Sequence, residues 1–363
     1  MNFTLYDALY PALIHDITHE PTLDGVPLYH MGRHIPHHCT HSGYDALAKY
    51  LGHPLFPSFL EHAVGETVLR PATDLAARMS GIRNYTRTSA LREFLATRHM
   101  ARTSNSLYHM MYADSDMRYV SPRGQGNRLV ATFHIPLHRK PSHRHLTHFQ
   151  DRLAHALVIS QSQVEEMEAL FGKGRVTAVP YGVDCRFFLP AKRTPPLPLR
   201  LVFVGVHARD FQTLGILARR LAGHKDFELT LITDRRGRDF ATASNIRWKQ
   251  GLSAEAYVHE LQRAHALLLP LLMSTANTAI LEGLACGLPA LTNPGGVSEY
   301  VNDACAKLWP RGDADAAMDM LMQLKESPDT VQRMSQAARE QALRHDWRAL
   351  VPIYKAAFKK ALS

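Results

Sequence analysis

Residues 266–292 constrain this chain more than any other stretch. Ala266–Leu272 is an apolar run short enough to be a buried strand, and Ala290-Leu291-Thr292 is a second. Between them, Ser274, Thr275 and Asn277 are N-cap residue types, and Thr278–Cys286 is rich in helix formers. Gly287 followed by Pro289 then stops the helix. The pattern predicts strand, small-residue loop, helix, strand. A helix entered through Thr275-Ala276-Asn277-Thr278 turns backbone N–H groups and the positive end of its dipole towards an anion. Glu282 falls one turn further in, within reach of a hydroxyl beside that anion. A phosphate at the helix start and a sugar hydroxyl one turn along describe a nucleotide-sugar. An ordinary capped αβ unit has the same local pattern.

The rest of the chain repeats the alternation. Gly25–Met31 reads as the first strand, and a polar loop, Gly32–Gly43, leads into a helix over Tyr44–Leu51. Leu60–Arg102 is helical in pattern, with Arg70, Arg78, Arg83, Arg87 and Arg92 spread along it; such a basic face suits either solvent or an anionic membrane. Short strands follow at Ser106–Met111, Leu129–Phe133, Leu157–Ser160 and Val176–Val179, with a helix from Ser160 to about Leu170. Leu189–Leu199 holds four prolines in eleven residues and reads as a stiff linker. Beyond it come a strand, Arg200–Gly205, a helix, Gln212–Leu221, a strand, Leu229–Thr233, and a helix over Ala254–Ala264 capped by Ser253. Helices over Gly312–Lys325 and Thr330–His345 precede an amphipathic one, Trp347–Leu362, with Trp347, Leu350, Tyr354 and Phe358 at helical spacing. Short strands alternating with helices imply α/β architecture with parallel sheets covered on both faces.

Several residues carry chemistry in this frame. Ligands bind at the carboxyl ends of strands in open parallel sheets, so His134, directly after Leu129–Phe133, is placed to bond a sugar hydroxyl or to cap its strand. Ser42-Gly43-Tyr44 opens a helix after a strand, where glycine lets backbone approach a ligand; a plain loop-to-helix turn has the same composition. Arg209, after Gly205, has a planar guanidinium suited to bridging two phosphate oxygens, or to pairing with the adjacent Asp210. The loop histidines His34, His37, His38 and His41, with Cys39, do not follow structural-zinc spacing, and no metal site is expected from them.

Glu282-Gly283-Leu284-Ala285-Cys286-Gly287-Leu288-Pro289, followed by Gly295-Gly296-Val297-Ser298-Glu299, resembles the donor-site signature of the GT-B family 4 glycosyltransferases. Glu282 matches the second of that family's two glutamates, which holds the donor ribose. The first falls at position 274, where this chain has serine. The segment Thr132-Phe133-His134-Ile135-Pro136 and the turn Pro180-Tyr181-Gly182-Val183-Asp184 are also similar to family segments. The resemblance spans most of residues 128–363. It implies two Rossmann-like domains facing across a cleft: an acceptor-binding domain over 1–190, a nucleotide-sugar-binding domain over 198–345, and a last helix, 346–363, packing back on the first. It implies a metal-independent transferase with retained anomeric configuration and no cofactor. The donor site would comprise Gly43, His207, Arg209, Gly251, Ser274, Thr275, Ala276, Asn277, Thr278 and Glu282. Ser42, Tyr44 and His134 would meet the acceptor, and Arg209 and His134 would carry the chemistry. A nucleotide-sugar epimerase on the same fold, or a donor-binding protein without transfer, stays open beside it.

Composition narrows the partners. A chain of 363 residues exceeds one ordinary core, so two domains are expected. The net charge of +9 and a pI near 9.4 suggest phosphorylated substrates or anionic lipid. A nucleotide-diphosphate-sugar, a saccharide or lipid-linked acceptor and peripheral contact with anionic membrane account for it. No basic cluster interleaved with aromatics points to nucleic acid. No apolar run approaches the ~20 residues of a membrane span, and Met1–Asp16 lacks a signal-peptide pattern. Four scattered cysteines fit a reducing compartment, so the expected location is cytoplasmic.

Overall fold

The computed structural model describes residues 22–32, 41–52, 55–56, 66–82, 85–137, 143–192 and 197–363. The chain forms two compact units, one running to Tyr181 and including Leu350–Ser363, the other Gly182–Ala349. Each is a layered α/β unit around one sheet.

In the first unit, β1 (Thr22–Leu23) turns back on β2 (Val26–Met31) as an antiparallel pair. Then come α1 (Ala46–Leu51), β3 (Leu55–Phe56), α2 (Arg70–Met79), α3 (Arg87–Met100) and β4 (Leu107–Met110). They are followed by β5 (Arg128–Phe133), β6 (Leu153–Val158), α4 (Val164–Phe171) and β7 (Val176–Ala178). Strands β2, β4, β5, β6 and β7 lie side by side and parallel, while β3 pairs with β2 at His30 and Met31, the residues that also face β4. The sheet therefore winds outward in both directions from β2. Covered on both faces, its strands read as apolar runs without alternation: all of β4 is buried, and all of β5 except Arg128.

The helical pattern expected over Leu60–Arg102 is two helices where it is described. Gly81 takes a positive φ, and Thr86 restarts the helix as an N-cap in a reciprocal box with Ser89. Residues 60–65 lie outside the described residues.

The second unit contains β8 (Leu199–Val204), α5 (Phe211–Leu221), β9 (Phe227–Ile232), β10 (Ile246–Lys249), α6 (Ala254–Arg263) and β11 (Ala266–Leu269). It continues through α7 (Thr278–Ala285), β12 (Ala290–Thr292), β13 (Ala306–Leu308), α8 (Ala314–Glu326) and α9 (Pro328–Arg344). The six strands run parallel in the order β10-β9-β8-β11-β12-β13. The chain winds one way from β8, then returns to place β11 against β8 and winds the other way. That reversal is the topological switch point, the place where open parallel sheets commonly bind ligands, and the loops leaving β8 and β11 meet there. Helix α7 packs closely on the sheet because Gly283 carries no side chain: a Cβ there would lie 3.1 Å from Leu267 Cδ2.

Four strands were not anticipated from sequence: β1, β3, β10 and β13. All are short, and β10 and β13 stand at the two edges of their sheet, where exposed residues such as Arg247 and Lys307 blur the apolar signal. Gly182–Leu189 belongs with the second unit. Val183 N–H donates to His345 O at 2.9 Å, and the Arg339 guanidinium donates to the carbonyls of Cys185 and Phe188. Four residues of the proline-rich linker, 193–196, lie outside the described residues. The last helix, α10 (Trp347–Lys360), starts in the second unit, and from Leu350 its residues belong to the first. There Tyr354 Oη donates to Pro180 O at 2.9 Å, and Phe358 meets the rings of His30 and His109 edge-on.

Candidate active site

In the second unit, the loop after β8 is shaped by one glycine. Gly205 has φ +95°, and the Arg209 side chain folds back over it so closely that a Cβ would sit 2.6 Å from Nη2. Arg209 Nε donates to Val204 O at 2.8 Å, and Nη1 donates to His207 O at 2.9 Å. The loop is stitched to the exit of β11, with Asp210 N–H donating to Pro270 O and Leu272 N–H to Ala208 O. The sequence left open an ion pair between Arg209 and Asp210. The structure instead uses Asp210 to cap α5, accepting from Thr213 N–H at 3.0 Å and Thr213 Oγ1 at 2.7 Å. Arg209 thus meets backbone carbonyls, and no carboxylate pairs with it among the described residues. Burial pushes its pKa down to about 10, against the pull of Tyr257 and Glu282, so it is cationic at neutral pH.

The loop after β11 leads to α7. Asn277 is the N-cap, and its side chain accepts from Ile280 N–H at 3.3 Å, so one first-turn amide is already engaged. Thr275, Asn277 and Glu282 are buried, Ala276 and Thr278 half-buried. Tyr257 Oη, from α6, donates to Glu282 Oε2 at 2.7 Å. Ser274 is bound to the glycine pair that follows β12. Its carbonyl accepts from Gly296 N–H at 3.0 Å, and its hydroxyl accepts from Val297 N–H at 3.2 Å. A Cβ on Gly296 would lie 2.5 Å from Thr275 O, so the Gly-Gly turn seats directly on residues 274–275.

The switch point therefore brings Arg209, Tyr257 and Glu282 together, with Ser274, Thr275 and Asn277 on the adjoining turn. Gly251 is exposed, and a Cβ there would meet nothing within 4 Å. His207 is exposed and contributes its carbonyl to Arg209. Tyr257 was missed from sequence. It lies on the first turn after the Ser253 cap, where a half-buried tyrosine looks like packing. Asn293 was missed too: its side chain accepts from Leu271 N–H at 2.7 Å and donates to Trp309 O at 3.0 Å, fixing the β11 exit.

In the first unit, His134 follows β5 and Asp114 follows β4. Asp114 Oδ2 accepts from His134 N–H at 2.5 Å and from Nδ1 at 3.2 Å, and Oδ1 accepts from Ile135 N–H at 3.2 Å. Tyr112 stacks on the imidazole at 5.2 Å, and Tyr44 meets it edge-on at 4.8 Å. Tyr44 is among the residues expected at the acceptor. Its side chain is wholly buried, with Oη 3.0 Å from Thr132 Oγ1, and burial pushes the phenol pKa up. Thr132 in turn bonds His109 Nε2 at 2.7 Å, and His109 Nδ1 lies 2.9 Å from His30 Nδ1, so Tyr44 ends a polar chain inside the core. Gly43 is buried with φ +92°, and Ser42 beside it is half-buried.

Loop histidines His34, His37 and His38, with Cys39, lie outside the described residues. Among the described residues no three His, Cys, Asp or Glu side chains gather as metal ligands.

Residues 233–341 match the family model of glycosyl transferases group 1. The matched stretch contains Gly251, Tyr257, the 274–282 segment and the Gly-Gly turn; Arg209 lies ahead of it. Among curated proteins, the chain is similar to an MMP α-(1→4)-mannosyltransferase of Mycolicibacterium hassiacum, 24% identical over 66% of this chain and 66% of the relative. Among solved structures it resembles a glycosyltransferase from Rickettsia africae (TM-score 0.60, 13% identity, 93% of this chain and 98% of that one). It also resembles the sucrose-phosphate synthase of Thermosynechococcus elongatus (TM-score 0.59, 16% identity, 75% and 78%). A third similar structure is the pneumococcal O-GlcNAc transferase GtfA, solved with UDP and GlcNAc (TM-score 0.59, 13% identity, 76% and 60%). The chain thus carries a glycosyl transferases group 1 domain in its second unit and has the fold of the GT-B glycosyltransferases.

Proposed function

We propose that this protein is a retaining glycosyltransferase of the GT-B family 4 type, which moves a hexosyl unit from a nucleotide-diphosphate-sugar to an acceptor hydroxyl. The observation that carries the reading is Arg209. Its guanidinium sits at the switch point, fixed by two carbonyls, with no carboxylate paired to it among the described residues. A planar cation held there suits two phosphate oxygens of a diphosphate. Support comes from the group 1 match, from a relative named a mannosyltransferase, and from a similar transferase solved with UDP.

In this reading the anomeric C–O bond to the diphosphate lengthens, and charge collects on the leaving oxygens. Arg209 stabilises that charge, aided by the turn at 274–277. The acceptor oxygen bonds to the anomeric carbon on the face being vacated, and its proton passes to the departing phosphate oxygen. Glu282 holds ribose hydroxyls, while His134 and Ser42 bind the acceptor side. No metal is required. The acceptor is a glycan or lipid-linked saccharide, and the reaction belongs to cytoplasmic synthesis of bacterial polysaccharide or glycoconjugate, at the inner face of the membrane where the acceptor is lipid-linked.

Radiolabelled UDP-glucose, UDP-GlcNAc and GDP-mannose, each incubated with the protein and a membrane lipid extract, test it. The expected result is a labelled product with the anomeric configuration of the donor, reduced ~10²–10³-fold by Arg209→Ala. Interconversion of the donor sugar without transfer, or binding alone, would overturn the reading.

A further inference from the structure

Two opposite charges share the switch point of the second unit without pairing with each other. Arg209 is cationic there, and Glu282 is buried, 4% exposed. Each feels the other: Glu282 and Tyr257 both pull the arginine pKa upward against burial. Burial strengthens such an attraction, and a carboxylate and a guanidinium ordinarily close into a bidentate pair. Among the described residues Arg209 has no such pair, because each group is held from its own side.

Arg209 is held by backbone. It folds back over Gly205, with Nε on Val204 O at 2.8 Å and Nη1 on His207 O at 2.9 Å. Carbonyls carry no net charge, so they orient the guanidinium without neutralising it. Glu282 is held by Tyr257, whose Oη donates to Oε2 at 2.7 Å. The tyrosine is itself fixed at the start of α6. Ser253 accepts from Ala256 N–H through its side chain at 3.2 Å and from Tyr257 N–H through its carbonyl at 2.9 Å. The Tyr257 ring meets the buried Phe188 edge-on at 6.3 Å. A carboxylate offers roughly four acceptor sites, so one bond from a tyrosine sets its rotation without exhausting it.

We propose that Tyr257 is a positioning residue that keeps Glu282 turned from Arg209, leaving the cation to a diphosphate and the carboxylate to sugar hydroxyls. The inference rests on the donor-site reading given above and adds to it a residue that acts through Glu282. A buried carboxylate that loses its donor turns to the cation whose field it already feels. The resulting ion pair cancels both groups together, because it occupies the phosphate-binding cation and the hydroxyl acceptor at once.

Calorimetric titration of the full chain with UDP, GDP and inorganic pyrophosphate tests it. Tyr257→Phe should weaken pyrophosphate binding ~10-fold. Adding Glu282→Gln to the Tyr257→Phe chain should restore it to within about threefold of wild type, while Glu282→Gln alone should move it by less than about threefold. A merely structural role for Tyr257 gives no such recovery. The nucleotide that binds should outdo its 2′,3′-dideoxy form ~10-fold or more on wild type, and by less than about threefold on the Tyr257→Phe chain. That last comparison is a ratio within the folded population, so a fraction of unfolded chain leaves it unmoved. Additive effects of the two substitutions, or a dideoxy ratio unchanged by Tyr257→Phe, would overturn the positioning role and leave the donor site standing. A wild-type chain that binds neither nucleotide nor pyrophosphate would overturn both.

Discussion

A single oxygen of Asp114 takes both donors of His134, the backbone N–H at 2.5 Å and Nδ1 at 3.2 Å. A carboxylate only accepts, so this bond makes Nδ1 the protonated nitrogen and holds the ring in one orientation. The loop carrying Asp114 is itself gripped from α3: Arg92 donates to both oxygens of Asp116 at 3.0 Å, and Glu93 accepts from the amides of Arg118, Tyr119 and Val120. Asp114→Asn offers an amide donor to Nδ1 and so reverses the tautomer. Turnover should fall ~10²-fold while the donor KM stays put, which steady-state kinetics with varied donor and varied acceptor will separate.

Gly205→Ala should disable the site through Arg209. The new methyl meets Nη2 at 2.6 Å, and alanine is strained at φ +95°. Stability should drop by ~1 kcal/mol and donor affinity by ~10-fold or more. In a double-mutant cycle with Arg209→Ala, titrated calorimetrically with UDP and GDP, the two losses should not add, because both remove the same guanidinium.

Tyr257→Phe leaves one oxygen of the buried Glu282 carboxylate without its 2.7 Å donor. The expected loss is about 1–3 kcal/mol in urea unfolding. Glu282→Gln on that background should cost less than on wild type, since the carboxylate has already lost its charge-assisted bond.

Glu93 makes stability depend on pH in a direction unusual for a carboxylate. Its pKa is pushed up to about 7, first by burial and then by the charge of Asp116, against the three amides it accepts. A carboxyl that holds its proton more tightly when folded contributes fully below its unfolded pKa near 4.5, and that contribution is lost as pH rises through 7. Burial moves His109 and His155 the other way, from 6.5 to about 3 and about 4, so their contribution is whole above pH 6.5 and is lost on acidification. The windows overlap, so the readout is the difference between wild type and Glu93→Gln. Urea unfolding at stepped pH should show wild type losing on the order of 3 kcal/mol relative to the variant between pH 4.5 and pH 8. A flat difference would mean that Glu93 stays ionised throughout.

What could be read in advance follows the range of the forces involved. Asn277 capping α7 and Ser253 capping α6 are local bonds, three residues long, and their residue types announce them. The helix break before Thr86 was equally local, and its Thr86–Ser89 box was overlooked within a long helical pattern. Arg209 was legible as a guanidinium after a strand-ending glycine, but its release from Asp210 depends on that carboxylate capping α5. Tyr257 with Glu282, and Asp114 with His134, join residues on different elements, and only strand order brings them together. The burial of Tyr44 was hidden for a related reason: a tyrosine opening a helix after a glycine looks presented to solvent, whereas its hydroxyl is claimed by Thr132, 88 residues away.

The first unit is discontinuous, and this bears on how the chain is made. Its sheet is complete by Ala178, yet Tyr354 and Phe358, which face Tyr44, His30 and His109, are made only after the whole of the second unit. The second unit, an unbroken segment, can close while its predecessor still waits for its final strut. The later unit is therefore free to fold before the earlier one, and a chain stopped at Ala349 would lack the rings that face Tyr44, His30 and His109.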